Sequence, residues 1–231
     1  MNLWIKADWP APASIHAYVT TSVAGNLGLH VGDDPKIVQA NRQQLQAELH
    51  CPPIAWLHQT HSNRVVNLSE TSDRDADGAF LSGTGLTAVV MTADCLPVLL
   101  CDEAGQALAA IHCGWRGLSQ GILEGAVQRF AVQPQSIIVW FGPAISAPYY
   151  EVDDVVREAF PEDKKDTACF VPNERGRWQA SLVELAKSRL RRLGVSRIYG
   201  GERCTFSESE SFFSYRRAPK TGRFATLIWM A

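Results

Sequence analysis

The sequence predicts an α+β fold with a mixed sheet, built from short buried strands and a few capped helices. Two apolar runs, at residues 96–101 and 107–111, are separated by only five residues. Five residues are too few for a parallel crossover, so these strands should pair antiparallel as a hairpin. Strand-like and helical segments alternate irregularly elsewhere, which favours α+β over a doubly wound parallel sheet. No linker, repeat or low-complexity segment interrupts the chain, and we expect one domain over residues 1–231.

The remaining strands are predicted from apolar runs of four to seven residues that lie between turn-forming residues. In chain order we expect strands at residues 15–21, 54–57, 64–68, 86–91, 137–141, 197–200 and 224–229. Two polar loops interrupt this series: HQTHSN at residues 58–63 and the turn-rich SDRDADG at residues 72–78.

Four helices are predicted from capping residues and from apolar residues at helical spacing. They cover residues 36–49, 118–130, 153–160 and 181–193. The first follows an Asp-Pro start signal, and we expect Ile37, Leu45 and Leu49 to face the core. The last begins with a Ser-Leu-Val-Glu capping box and stops at a glycine.

Composition excludes several classes of function. The net charge of −2 and the 46% hydrophobic content do not suggest a nucleic-acid or membrane-surface binder. No apolar stretch approaches the length of a transmembrane helix, and the N-terminal residues lack the pattern of a signal peptide. We therefore expect a cytoplasmic protein whose six cysteines are free thiols. Oligomeric state stays open.

The predicted hairpin brings a thiol and an imidazole together. If its turn centres on Ala104 and Gly105, Pro97 lies opposite His112. Cys95 and His112 are then diagonal neighbours on one face, roughly 7–8 Å apart at Cα. Such a pair forms either half of a metal site or a nucleophile with its base.

Asp94 bears on that choice because it precedes Cys95 directly. A neighbouring carboxylate raises the pKa of a thiol and hinders a free thiolate nucleophile, whereas a bound metal deprotonates the sulfur outright. Asp94 is also a candidate for orienting a ligand histidine. The alternative for Cys95 is a small buried hydrophobic residue. His58 and His61 in HQTHSN are either site residues or caps of a polar loop.

Basic and aromatic residues suggest a substrate surface. Trp115 and Arg116 lie between glycines and could form an aromatic wall with a cation, or a packed tryptophan with a surface arginine. Arg216, Arg217 and Arg223 are close in sequence. Arginines can fork around phosphate or carboxylate, although a solvated basic turn is the alternative.

Several motifs occur together and in a fixed order. They are HQTHS, TADCLPVLLCD, IHCGWRGL, FGPAI, YYEV, CTFSES and SFFSYRR with TGRF. In this combination, from about residue 25 to the C-terminus, the chain resembles the YfiH-type family, long labelled multicopper polyphenol oxidase or laccase. Cys113 stands where that family usually has alanine, and Asp153 where glycine is common.

The resemblance implies a fold, a ligand set and an activity. The fold is an α/β sandwich with mixed, largely antiparallel sheets and flanking helices, similar to that of a toxin deamidase. The metal ligands fall on His61, Cys95 and His112. The implied activity is phosphorolysis of purine nucleosides (adenosine, inosine, guanosine and methylthioadenosine), with adenosine deamination as a side activity. A role in correcting peptidoglycan precursors is also attached to the family.

Two imidazoles and one thiolate leave a fourth position open, as in catalytic zinc sites. Arg216, or else Arg217 or Arg223, would hold phosphate near the ribose. The other candidates for contact with substrate are Asn26, Gln59, Asp94, Trp115 and Arg116. Copper could replace zinc at N,N,S ligands, but six histidines in all are a poor basis for a multicopper oxidase.

The sequence is also compatible with two other classes of function. A thiol hydrolase or precursor-editing amidase would use Cys95 as nucleophile and His112 as base. A non-enzymatic, metal-storing or partner-binding module would have to explain an open coordination position beside an aromatic residue and several arginines.

Overall fold

The computed structural model describes residues 2–231, which form three sheets flanked by helices. The strands are β1 (Trp4–Lys6), β2 (Ile15–Thr20), β3 (Ile54–Ala55), β4 (Val65–Asn67), β5 (Gly78–Ser82), β6 (Thr87–Thr92), β7 (Leu96–Asp102), β8 (Ala107–Cys113), β9 (Ile137–Phe141), β10 (Glu151–Val152), β11 (Phe170–Pro172), β12 (Trp178–Ala180), β13 (Arg197–Gly200) and β14 (Phe224–Met230). The α-helices are α1 (Pro35–Leu49), α2 (Trp115–Ser119), α3 (Ile122–Val127), α4 (Asp154–Glu158) and α5 (Leu182–Arg192).

Two large sheets form the body of the fold. One has the order β1-β2-β14-β6-β3 and the other β13-β9-β7-β8-β5-β4, while β10-β12-β11 form a small third sheet. Most neighbours pair antiparallel, and the parallel pairs are β3–β6, β4–β5 and β9–β13. The predicted α+β fold with mixed, largely antiparallel sheets is therefore confirmed.

Side-chain alternation along the strands explains how the layers pack. On β7, Leu99 joins the core between the two large sheets, while Val98 and Leu100 face the core beneath α2, α3 and α5. On β6, Val89 faces the opposite way from Val90 and packs beneath α1. The layers are thus helix, sheet, sheet and helix. Within residues 2–231 no helix has the length and apolar character needed to cross a bilayer.

The central hairpin has the predicted register. Pro97 pairs with His112 across β7 and β8, and every residue of both strands is buried. Gly105 adopts a positive φ of 66° at the turn. The open end of the hairpin, where Cys95 precedes β7 and His112 lies near the end of β8, is therefore fixed by strands on both sides.

The helix predicted at residues 118–130 is two helices. Its first turn, α2, begins earlier than predicted, and Gly121 at φ 87° ends that helix before α3 starts. In α1 the inward residue is Val38, not Ile37, which is 53% exposed. Val38, Leu45 and Leu49 are spaced by seven and four residues, which is the helical period; Ile37 is out of phase.

Strands β1, β5, β10, β11 and β12 were not predicted. Four of them are only two or three residues long, too short to show a periodic pattern. β5 is a full strand in the second large sheet, directly after the polar loop SDRDADG. Missing β5 has a consequence, because the last residue of that loop before the strand belongs to the site.

A candidate metal centre and its cavity

Three side chains from separate segments meet at the open end of the hairpin. The ligand atoms of His61, Cys95 and His112 all lie within 4.8 Å of one another. The Cys95 Sγ is 4.0 Å from His61 Nε2, and the two imidazole rings are 4.9 Å apart at an angle of 74°. We name His61, Cys95 and His112 the triad.

Gly114 forms the floor of the triad. A Cβ at this position would lie 3.0 Å from His61 Cδ2, 3.3 Å from Cys95 Sγ and 3.8 Å from His112 Cε1. Only a residue without a side chain leaves that space open. Two imidazole nitrogens and a thiolate are suitable zinc ligands, with bonds of about 2.0–2.3 Å, and they also suit copper. The residues present therefore fit a single metal ion.

Asp77 organises the triad from behind. Its side chain is fully buried and accepts hydrogen bonds from the backbone N–H groups of Thr60, His61 and Ser62. The same carboxylate lies 2.8 Å from His112 Nδ1. The carboxylate accepts a hydrogen bond from Nδ1–H and so keeps the proton on Nδ1, which leaves Nε2 of neutral His112 free for a ligand role. Burial raises the pKa of Asp77, but hydrogen bonds from His112 and Ser62 outweigh it and lower that pKa to about 2.

The sequence did not assign Asp77 a role, because it lies in a loop interpreted only as turn-rich. The residue expected to orient a ligand histidine was Asp94, and that expectation is wrong. The Asp94 carboxylate instead accepts hydrogen bonds from Thr205 Oγ1 at 2.6 Å and from the backbone N–H of Arg216 at 2.7 Å. Asp94 has a positive φ of 99°, which is strained for a residue with a side chain.

The electrostatics of Cys95 also differ from the expectation based on Asp94. Burial raises the pKa of the Cys95 thiol, but the charges and hydrogen bonds of His112 and His61 outweigh burial and lower it. Conversely, burial lowers the pKa of His112, while Cys95 and Asp77 raise it by a larger amount. Without a metal ion the pair favours a thiolate beside an imidazolium, which suits nucleophilic chemistry, whereas a bound metal ion would use the thiolate and replace the proton on Nε2 of His112.

The triad opens into a cavity of about 480 Å³. Of the predicted substrate residues, six line it: Gln59, Asp94, Trp115, Arg116, Arg216 and Arg223. The Arg116 guanidinium lies 4.5 Å from the centre of the Trp115 ring, so these two form a flat cationic and aromatic surface. The Gln59 amide is engaged at both ends, with the backbone N–H and carbonyl of Met91. A second cavity of about 560 Å³ lies at the edges of β1 and β13 and is lined by none of the predicted site residues.

Two predicted substrate residues do not line the cavity with the triad. Asn26 is buried, and its amide bonds to Gly28, Asp33 and the backbone N–H of Arg223. Arg217 donates to three backbone carbonyls, those of Thr205, Phe206 and Phe212. In this structure both residues hold loops in place, and their direct contact with substrate stays a prediction.

Several cavity residues were missed, among them Tyr150 and His30. Tyr150, the second tyrosine of the YYEV motif, lines the cavity. Burial and the nearby Cys95 raise the pKa of its phenol. The Arg216 guanidinium lies 5.5 Å from its ring centre. His30 also lines the cavity, and its only sequence signal was a position after a glycine-rich loop.

The fold and the site together define an α+β sandwich protein with a His-Cys-His cluster at the mouth of its central hairpin that could hold a metal ion. The family described as multi-copper polyphenol oxidoreductase laccase matches residues 17–231. The chain belongs to this family, which is also known as the YfiH or DUF152 type.

Relatives of known sequence extend the match to the whole chain. A protein of Pseudomonas aeruginosa named purine nucleoside phosphorylase is 43% identical over 241 residues, covering 100% of this chain and 99% of the relative. Purine nucleoside phosphorylase YfiH of Escherichia coli is 42% identical over 244 residues, covering 100% of both.

Solved structures agree. A Neisseria meningitidis protein of the DUF152 family superposes with a TM-score of 0.92 at 43% identity, covering 99% of each chain. YlmD of Geobacillus stearothermophilus superposes with a TM-score of 0.93 at 29% identity, covering 99% of this chain and 96% of its own.

Proposed function

We propose that residues 1–231 form one cytoplasmic catalytic domain, a zinc-dependent purine nucleoside phosphorylase. The substrates are adenosine, inosine, guanosine and methylthioadenosine, which are converted with phosphate to the free base and a ribose 1-phosphate. Adenosine deamination is a side activity of the same site. The names of two relatives that match the whole chain support the phosphorylase class.

The observation that carries the proposal is the position of the triad. Three ligands would leave a tetrahedral ion one position for substrate or water, and the triad itself lines a cavity with an aromatic wall and several guanidinium groups. A bound zinc ion would supply a Lewis acid there. A structural zinc site would instead be closed by a fourth protein ligand, and among residues 2–231 the cluster of potential ligands has three members.

The protein's own residues bind and orient. Asp77 keeps the proton on Nδ1 of His112 and holds the loop that carries His61. Trp115 offers a flat apolar face to a purine, and Arg116 offers a cation beside it. Asp94 fixes the backbone of Arg216, so that this guanidinium stays at the cavity wall.

The test is phosphate-dependent release of hypoxanthine from inosine by metal-replete protein. Cys95→Ala should reduce turnover by at least about 100-fold, since it removes one of three ligands. His58→Ala is the matched control, because His58 lies in the same HQTHSN loop but is exposed and pairs with Asp75. Undiminished turnover by the Cys95 variant would rule out the triad as the catalytic centre.

A thiol hydrolase or precursor-editing amidase is the second candidate. It is favoured by one observation: Cys95, His112 and Asp77 stand in the order of a nucleophile, a base and an orienting carboxylate. This enzyme would be inactivated by thiol alkylation and would keep its activity in chelator. The phosphorylase would lose activity in chelator and recover it with zinc.

A copper-dependent polyphenol oxidase is the remaining alternative, and the family description is its basis. Metal analysis decides it. Protein purified without added copper should contain about one zinc ion per chain, whereas stoichiometric copper with phenol oxidation would favour the oxidase.

A further inference from the structure

Three basic side chains gather where the loop before α1 meets the start of β14. His30 and Arg223 line the cavity, and Arg42 on α1 lies close enough for its charge to act on His30. We name His30, Arg42 and Arg223 the basic wall. Arg42 and Arg223 are half-buried, so their charges are only partly solvated.

The basic wall has no carboxylate partner within 4 Å among residues 2–231. Arg42 donates from Nε and Nη2 to the carbonyl of Leu27. Arg223 donates from Nη1 alone, to the carbonyls of Thr221 and Gly222. Its Nε and Nη2 have no hydrogen-bond partner in the described part of the chain, which leaves one edge of the guanidinium available to a ligand.

Electrostatics show that this arrangement is costly without an anion. Burial lowers the pKa of Arg42 to about 10 and also lowers that of Arg223. Burial, followed by the charges of Arg223 and Arg42, lowers the pKa of His30. The charges of Cys95 and Asp94 offset only part of the cost of burying Arg223, and an anion placed beside its free edge removes more of that penalty.

Arg216 is in a different environment. Its side chain is exposed to solvent, and both terminal nitrogens donate to one backbone carbonyl, that of Glu151. Its guanidinium also lies over the Tyr150 ring. His30 is exposed too, so among these cavity cations the half-buried Arg223 gains most from an anion, because water solvates an exposed group already.

We propose that His30 and Arg223 bind the inorganic phosphate co-substrate, with Arg42 adding positive potential behind them. Of the three arginines that the sequence offered for phosphate, this selects Arg223 over Arg216, the first candidate, and it adds His30; the assignment rests on the proposed function. A phosphate oxygen forms a bond to ribose C1′ while the bond from C1′ to the purine nitrogen breaks. The bonding electron pair leaves with the purine nitrogen. That nitrogen takes up the proton of the hydrogenphosphate dianion, so the products are the neutral base and the ribose 1-phosphate dianion.

Calorimetric titration of inorganic phosphate into zinc-loaded protein tests the assignment. Arg223→Gln should weaken phosphate binding by at least about tenfold, the loss expected for a charged hydrogen-bonding partner. It retains the Cβ and Cγ atoms that pack on Gly28. His30→Gln should weaken binding less, by about threefold, and Arg216→Gln by less than about twofold. Arg223→Lys, which keeps the charge, should restore part of the affinity and thereby excludes misfolding as the cause.

Steady-state kinetics should show the same division: Arg223→Gln raises the KM for phosphate and leaves the KM for inosine near its wild-type value. Wild-type phosphate affinity in Arg223→Gln, or a loss confined to Arg216→Gln, would overturn the assignment. Inosine 5′-monophosphate is the second probe. Arg223-dependent binding of this nucleotide with no binding of inorganic phosphate would equally overturn it.

The proposed function can fail separately. Arg223-dependent phosphate binding without release of base from any nucleoside would uphold the anion site and remove the phosphorylase assignment. Phosphate-dependent release of base with an unchanged KM for phosphate in Arg223→Gln would do the reverse.

Discussion

Two carboxylates, Asp77 and Asp94, lie buried beside the same triad and serve different parts of the site. Asp77 contacts His112 and the loop that carries His61. Asp94 is adjacent to Cys95 in sequence but turns away from the triad, toward Thr205 and the backbone of Arg216. One carboxylate therefore orients the two histidines of the triad, and the other orients the cavity wall.

Pairing between strands, rather than proximity in sequence, therefore decides which carboxylate contacts the triad histidines. Asp77 directly precedes β5, which pairs with β8, and its backbone carbonyl accepts a hydrogen bond from the N–H of His112. This pairing places its side chain beside the imidazole. Asp94 has a positive φ, and its carboxylate points away from Cys95, the next residue. Substitutions at four positions test these two roles.

The largest effect is expected for Asp77→Asn. Asparagine keeps one acceptor oxygen, so its NH2 group faces either His112 Nδ1 and the His61 N–H or the N–H groups of Thr60 and Ser62, and the hydrogen bonds on that side are lost. Zinc affinity should fall by about 10- to 100-fold, and the free energy of unfolding by about 1–3 kcal/mol. Competition with a chromogenic chelator and urea denaturation measure the two quantities. An unchanged zinc affinity would show that Asp77 is only structural.

Gly114→Ala perturbs the triad without touching either carboxylate. Gly114 has a φ of −73°, so alanine causes no backbone strain, but its methyl group would enter the space between the ligands. We expect zinc affinity to fall by about tenfold. This is about 1.4 kcal/mol, within the roughly 1–3 kcal/mol that overpacking usually costs. Chelator competition should show this loss, while far-UV circular dichroism should be unchanged. Wild-type affinity would mean that the ion sits away from this glycine.

Asp94→Asn should separate the two roles. Asparagine tolerates a positive φ, and its amide oxygen can still accept from Thr205, but the bond from the Arg216 N–H is weakened. The expected result is a decrease of about tenfold in kcat/KM for inosine, with zinc affinity within about twofold of wild type. A large loss of zinc would mean that Asp94 orients the ligands after all.

The smallest effect is expected for His58→Ala. The side chains of His58 and Asp75 are 79% and 74% exposed, and pairs this exposed contribute less than about 1 kcal/mol. Zinc content, inosine turnover and stability should all stay close to wild type. A loss of zinc would show that the wrong histidine of HQTH was assigned to the triad.

Local patterns were sufficient to predict the hairpin and the meeting of Cys95 with His112, because strand register follows directly from a short turn. The position of His61 came from family resemblance, since nothing in loop HQTHSN distinguishes its two histidines. Asp77 and His30 could not be predicted. Each reaches the site through a pairing or loop path that depends on the complete fold.

The triad joins positions 61, 95 and 112, which belong to three different segments of the chain. An ion held by all three acts as a reversible cross-link, since it closes two loops that the unfolded chain would otherwise sample freely. Metal that binds only the folded state stabilises it by mass action, by about 2.7 kcal/mol at a free concentration 100 times the Kd. If the triad holds an ion, the melting temperature of this protein becomes a readout of free metal in its surroundings, and chelation should lower it before any effect on secondary structure is visible.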